Sequence, residues 1–333
     1  MRVNSNVVLR ALLFAAVVSQ ASASGARVTL TRLEDRVSVE IDGALFTEYV
    51  FGDGASRPYC YPVLSADGTS LTRDFPMMDT RAEETDHPWH RCITFTHASV
   101  NGIDFWNEGT GGTRSPKAKG RSTHNSFVEI SSGDAGVITT RNRWTAPDGR
   151  LICTDERTLR FHATSAGRFI DFEITMRALP DEPLEFGDNK DGTMGYRVPL
   201  WMTLPHKYKD QPVPGTGHLL TSTGIRDADV WGKRAAWCDY HAPHNGNTYG
   251  VAIFDHPRNF RHPTWWMARD YGLFAANPFG QHDFEVLKDQ PTIGNHTIPA
   301  GGFLTMRYRF YFHEGDPVAA KVAEHYNDYA AGR

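Results

Sequence analysis

Apolar side chains recur at every second position over most of this chain. Val37, Val39 and Ile41 alternate with Ser38 and Glu40, Asp42-Gly43 turns the chain, and Leu45 to Phe51 returns, which predicts a β-hairpin. Ser65 to Ser70, centred on Asp67-Gly68, predicts a further turn. Val137 to Trp144 and Leu151 to Phe161 read as strands joined by a turn at Pro147-Asp148-Gly149. In Arg168 to Leu179, Ile170, Phe172, Ile174 and Met176 share one face against Asp171, Glu173 and Thr175. Leu304, Met306, Tyr308, Phe310 and Phe312 form a long stripe in the same way. Residues 110–126 lack apolar periodicity and predict a long exposed loop. Only the tail has a helical pattern: Asp316 as cap, Pro317 at the first position, and Val318, Val322 and Tyr326 on one stripe. Many closely spaced strands, punctuated by Gly and Pro, predict an all-β protein: two large antiparallel sheets packed face to face, with a short C-terminal helix.

The chain has 333 residues, 40% hydrophobic and 22% charged, enough for a large core. Its formal net charge of −4, with no Lys/Arg block, excludes nucleic acid as an expected partner. At the N-terminus Arg2 and Arg10 precede an apolar run, Ala11 to Val18, and Ala21-Ser22-Ala23 supplies a small-residue cleavage pattern. This predicts a signal peptide over residues 1–23 and a single β domain over 24–333, secreted or periplasmic. No later segment approaches the ~20 apolar residues of a membrane span. Four cysteines, Cys60, Cys92, Cys153 and Cys238, allow three disulfide pairings or four buried thiols.

Chemistry concentrates in Asp86 to Trp106, D-H-P-W-H-R-C-I-T-F-T-H-A-S-V-N-G-I-D-F-W, where a carboxylate, two imidazoles, an indole and a guanidinium fall within six residues at the mouth of a strand. Three further stretches are rich in polar groups: Phe186 to Pro199, with Asp188, Lys190, Asp191 and Arg197 among glycines; Trp231 to His241; and Phe254 to Gly280, which repeats the His-Pro pairing at His256 and His262. Asp86–Trp106, Phe186–Pro199 and Phe254–Gly280 are expected to meet in one pocket. His87, His90, His256 and His262 are the expected proton-transfer groups, because unperturbed histidine titrates near neutrality. His90 is the first choice, and Glu156 and Asp188 are candidate partner carboxylates. Arg91 and Arg157 suit charge stabilisation and substrate orientation. Trp89 and Trp265 offer faces for sugar rings, and Asp188, Lys190, Arg197, Asn259 and Asn277 complete the expected substrate-binding set.

The expected ligand is a small molecule or oligosaccharide, and the expected reaction is acid–base hydrolysis, elimination or epimerisation of a sugar without a cofactor. One alternative is a metal enzyme, with His87, His90, a third His and a carboxylate suiting iron, copper or zinc. Another is a non-catalytic carbohydrate-binding protein. A Ser nucleophile elbow, a P-loop and a Rossmann fingerprint are absent.

D-H-P-W-H-R with N-G-I-D-F-W, W-G-K-R-A-A-W-C-D-Y, D-H-P-R-N-F-R-H-P-T-W-W and A-N-P-F-G together resemble a family of secreted bacterial proteins labelled methane oxygenase PmoA, over roughly Val37 to Asp316. Cys92 departs from that pattern, which commonly has glycine after H-R. The resemblance implies a secreted protein and, by its label, an oxygenase. The β architecture looks like the supersandwich of galactose mutarotase and related sugar hydrolases and lyases, which implies acid–base residues on the concave face of a broad sheet.

Overall fold

The computed structural model describes residues 26–80, 83–108 and 119–333. The leader expected at residues 1–23 lies outside them, as do residues 110–118 of the expected loop.

Two broad antiparallel layers make up the fold. One is an eight-stranded sheet in the spatial order His218–Thr221, Trp237–His244, Asn247–Asp255, Phe303–Glu314, Gly167–Arg177, Leu151–Thr164, Gly136–Thr145 and Arg121–Ser131. The other combines two four-stranded sheets. Val28–Arg32, Arg36–Ile41, Ala44–Val50 and Tyr59–Val63 form the first, and Trp265–Ala268, Leu273–Asn277, Gly192–Arg197 and Thr94–His97 form the second. An antiparallel bridge between Cys60 and Ile93 joins them edge to edge.

Strand alternation puts one face of each layer into a shared core, where Phe46 meets Phe161 and Phe312, Phe95 meets Trp144, and Tyr196 meets Phe310. The same alternation makes a second apolar face on the outside of the smaller sheet. Trp266, Ala268, Phe274 and Ala276 point into the main core, while their neighbours Trp265, Met267, Leu273 and Ala275 cluster outside with Ala98, Trp106 and Phe284. This outer cluster is the floor on which the candidate site is built.

Three local expectations change. Residues 121–126 belong to the strand Arg121–Ser131, whose register slips twice against Gly136–Thr145; the bulges break the alternation by which an edge strand is read. At the C-terminus Asp316 Oδ1 accepts from the Val318 and Ala319 amides, as a cap would, but the helix begins only at Val322 and runs to Ala330. Val318 is therefore exposed instead of sharing the buried stripe. All four cysteines are buried, free thiols.

Candidate functional site

Asp86 to Arg91 forms the connection entering Thr94–His97, and its backbone is fixed from beneath by two buried guanidinium groups. Arg73 donates to the carbonyls of Asp86 and His87, 2.9 Å each, and to Asp86 Oδ1 at 2.7 Å. Arg57 donates to the carbonyls of Trp89, Phe105 and Trp106, tying the loop to the turn that follows the strand. Held this way, the loop lines one side of a cavity of about 580 Å³ with His87, Trp89 and His90. The turn Asn189–Asp191 ahead of Gly192–Arg197 supplies a second side, and Met267, Arg269 and Tyr271 supply a third. The three stretches expected to meet do therefore share one cavity, with Trp106 and Ala98 on its floor.

Its polar groups are linked. Asp86 accepts from Arg73, from Arg197 at 3.2 Å, and from His87 Nδ1. Burial alone would raise the Asp86 carboxyl, but the His87 hydrogen bond and the charges of Arg197 and Arg73 outweigh it and hold it well below the usual carboxylate range. With Nδ1 committed to Asp86, the tautomer of His87 is set and Nε2 is left for a ligand. His87, His90 and Tyr271 lie nearly parallel, with centroids 4.7 Å apart for the two histidines and 5.1 Å for His87 and Tyr271. Behind them Arg197 stacks 4.5 Å over Tyr271 and places Nη1 3.3 Å from His90 Nδ1. A guanidinium only donates, so His90 Nδ1 accepts and the ring is neutral. Burial, reinforced by the charge of Arg197, pushes His90 well below the usual histidine range. On the opposite wall burial raises the Asp191 carboxyl, against the pull of Lys190 and Arg269.

Of the residues expected from the sequence, His87, Trp89, His90 and Lys190 line this cavity. Arg197 stands behind the wall, buried, and acts through Asp86 and His90. Asn277 is buried beneath it; its amide donates to the carbonyls of Asn189 and Lys190 and fixes their turn. The other expected residues are engaged elsewhere. Arg91 turns away to Glu108, 2.7 Å through two nitrogens, and lines a separate groove with Tyr59. Glu156 pairs with Arg141 at the surface, whereas its neighbour Arg157 points between the layers onto Asp155. Asp188 accepts from the amides of His282 and Gly294 and so staples two loops. His262 donates to Asp255, 2.7 Å, whose other oxygen accepts from Asn259. His256 lies on another groove beside Arg258 and Tyr329, and burial pushes it down to about 4. Trp265 lies under Arg234, 4.4 Å away, with its indole N–H on Glu285. Cavity residues outside the expected catalytic and substrate-binding set include Asp86, Trp106, Asp191, Arg269 and Tyr271. Asp86 was visible in the histidine motif; nothing in the sequence around Arg269 or Tyr271 distinguishes them.

Among the described residues no three His, Cys, Asp or Glu side chains group to hold an ion. His87 and His90 are stacked with their planes 4° apart, and the Nδ1 atoms are committed to Asp86 and Arg197.

Fold and site together define a large antiparallel β-sandwich with an aromatic cavity, lined also by titratable side chains, on the outer face of one sheet. The chain belongs to the family of unknown function DUF6807, whose model matches residues 36–327. No curated protein matches it by sequence. Among solved structures it is similar to a galactose mutarotase-like protein from Lactobacillus casei, 10% identical over 86% of this chain and 100% of that one, with a TM-score of 0.35. A putative aldose 1-epimerase from Escherichia coli is 9% identical over 87% and 99% of the two chains, TM-score 0.32. A GH36 alpha-galactosidase from Geobacillus stearothermophilus is 12% identical over 87% of this chain and 40% of its own, TM-score 0.36. Likeness at this level bears on neither substrate nor mechanism.

Proposed function

We propose that this protein is a carbohydrate-active enzyme, working outside the cytoplasm, that transfers protons on a sugar in an epimerisation or elimination. The observation that carries the reading is the Asp86–His87 pair on the wall of an aromatic cavity, with the Asp191 carboxyl on another wall. Asp86, kept ionised, holds His87 with Nε2 as the basic atom. Asp191, kept protonated to higher pH than an ordinary carboxyl, is the complementary acid. Neutral His90 is a hydrogen-bond donor to the substrate through Nε2. Trp89, Trp106 and Tyr271 supply flat apolar faces suited to the C–H surfaces of a sugar ring. Hydrolysis by two carboxylates is less well served, because Asp86 is already engaged by Arg73, Arg197 and His87 and is not free to attack or to activate water. The extracellular or periplasmic setting rests on the leader pattern at residues 1–23.

The test is proton exchange. Purified protein incubated with aldoses and oligosaccharides in deuterated water should introduce solvent deuterium at a carbon position, or generate a double bond absorbing in the near ultraviolet. His87→Gln should lower that rate by about 10²–10⁴-fold with little change in Tm, since this side chain is 36% exposed. The rate should also fall as pH rises through the Asp191 ionisation, above the ordinary carboxylate range, because the acid must carry its proton; Asp191→Asn removes that limb. Full turnover by His87→Gln would remove this histidine as the base, and binding of sugars with no exchange and no elimination in any of them would leave a binding protein in place of an enzyme.

A further inference from the structure

The guanidinium groups packed around the cavity have carboxylate partners, with one exception. Arg57 and Arg91 pair with Glu108, and Arg73 and Arg197 pair with Asp86. Arg269, which lines the cavity itself, forms no hydrogen bond or ion pair through its side chain with any described residue, and its Nε is shut off from solvent without an acceptor. It is nonetheless held in place. Its backbone closes the turn between Trp265–Ala268 and Leu273–Asn277, donating to Leu273 and accepting from Gly272, and its guanidinium stacks 3.7 Å over Trp231. Trp231 is braced in turn by the edge of Phe284. A half-buried cation fixed by stacking and left without an anion gives up hydration that a ligand can restore.

Two more donors line the same cavity. Lys190 Nζ stands 3.8 Å from Asp191, too far for a hydrogen bond, and Trp89 Nε1 is buried without an acceptor. With Asp191 carrying its proton as the acid of the proposed reaction, neither Lys190 nor Arg269 has an anion to balance it. We propose that the ligand of this cavity is an acidic sugar whose carboxylate binds Arg269, with Lys190 alongside. A planar guanidinium matches a carboxylate through two parallel hydrogen bonds, and the Lys190 ammonium adds a second positive charge beside it. The inference rests on the reading of the cavity as a sugar site and names the class of sugar.

The experiment separates the two. His87→Gln protein, which leaves Arg269 untouched, is titrated by calorimetry with galacturonate and glucuronate oligosaccharides, each as the free acid and as the methyl ester, and with neutral and O-sulfated counterparts. The expected result is at least tenfold tighter binding of the free acid, a preference that disappears in Arg269→Gln and is partly kept in Arg269→Lys. The acid–ester comparison in His87→Gln alone decides the matter if Arg269→Gln proves unstable. Equal affinity for acid and ester, an equal loss for both on replacing Arg269, or tighter binding of the O-sulfated sugar would overturn the carboxylate subsite while leaving a sugar site. Absence of binding by any of these sugars would overturn both.

Discussion

Cys92 adopts a left-handed backbone conformation, φ 49°, while its side chain is buried to 2% exposure. A side chain in this region costs about 1–2 kcal/mol, a cost that glycine avoids. Cys92→Gly should therefore relieve strain while losing a small buried thiol, for a net change within about 1 kcal/mol, whereas Cys92→Val places a β-branched residue where it is least tolerated and should lose about 2 kcal/mol or more. Urea unfolding of the two variants checks the order; equal stability of wild type and Cys92→Val would contradict it. His87, five residues earlier, shares the conformation at φ 43°, so a core residue and a cavity residue of the same loop both hold backbone positions that side chains rarely adopt. Neighbouring histidines thereby reach opposite roles: His87 meets a carboxylate and His90 meets a guanidinium.

At the level of the strand, one residue of register decides between function and structure. Along Leu151–Thr164, Glu156 points out to Arg141, and Arg157 points in, where Nε and Nη2 grip Asp155 at 2.9 and 2.6 Å. Asp155 also accepts from Trp144 and Asn142, so the cluster is a satisfied polar knot between the layers. Arg157→Ala leaves Asp155 buried and unpaired and should destabilise the fold by about 3–5 kcal/mol. Denaturation should register that loss while the affinity of folded protein for its sugar stays at the wild-type value; an intact fold with weakened binding would restore Arg157 to the substrate site.

Over the whole molecule, the loop leading into the site couples stability to pH. Burial pushes the Glu83 carboxyl up to about 7, although Arg73 lies close. Its pKa is thus higher in the folded than in the unfolded chain, so the stability it contributes is complete below about pH 4.5 and is lost as pH rises through about 7. Asp86 works in the opposite direction, contributing above about pH 4 and losing its contribution as pH falls through its depressed folded pKa. Glu83→Gln should flatten the alkaline side of the stability profile, by on the order of 2–3 kcal/mol between pH 4.5 and 8. Parallel profiles for variant and wild type in urea titrations across that range would exclude a buried, neutral Glu83.

The sequence alone determined the secondary structure class, because strand periodicity is a local property: a buried face must repeat every two residues wherever the layer runs. It also marked Asp86–Trp106, Phe186–Pro199 and Phe254–Gly280 as unlike core, and all three contribute to the cavity. Which side chains within them face it was decided by tertiary packing. The hydrogen bond from Arg197 to Asp86 joins residues 111 positions apart, and pairings of that range turn His87 into the candidate base, place Arg91 on another groove and set His256 and His262 outside the cavity. Arg269 and Tyr271 acquire their significance only from what lies across the cavity or beneath it. A loop residue has no period to reveal its direction, so its role is set by the neighbours the fold brings to it.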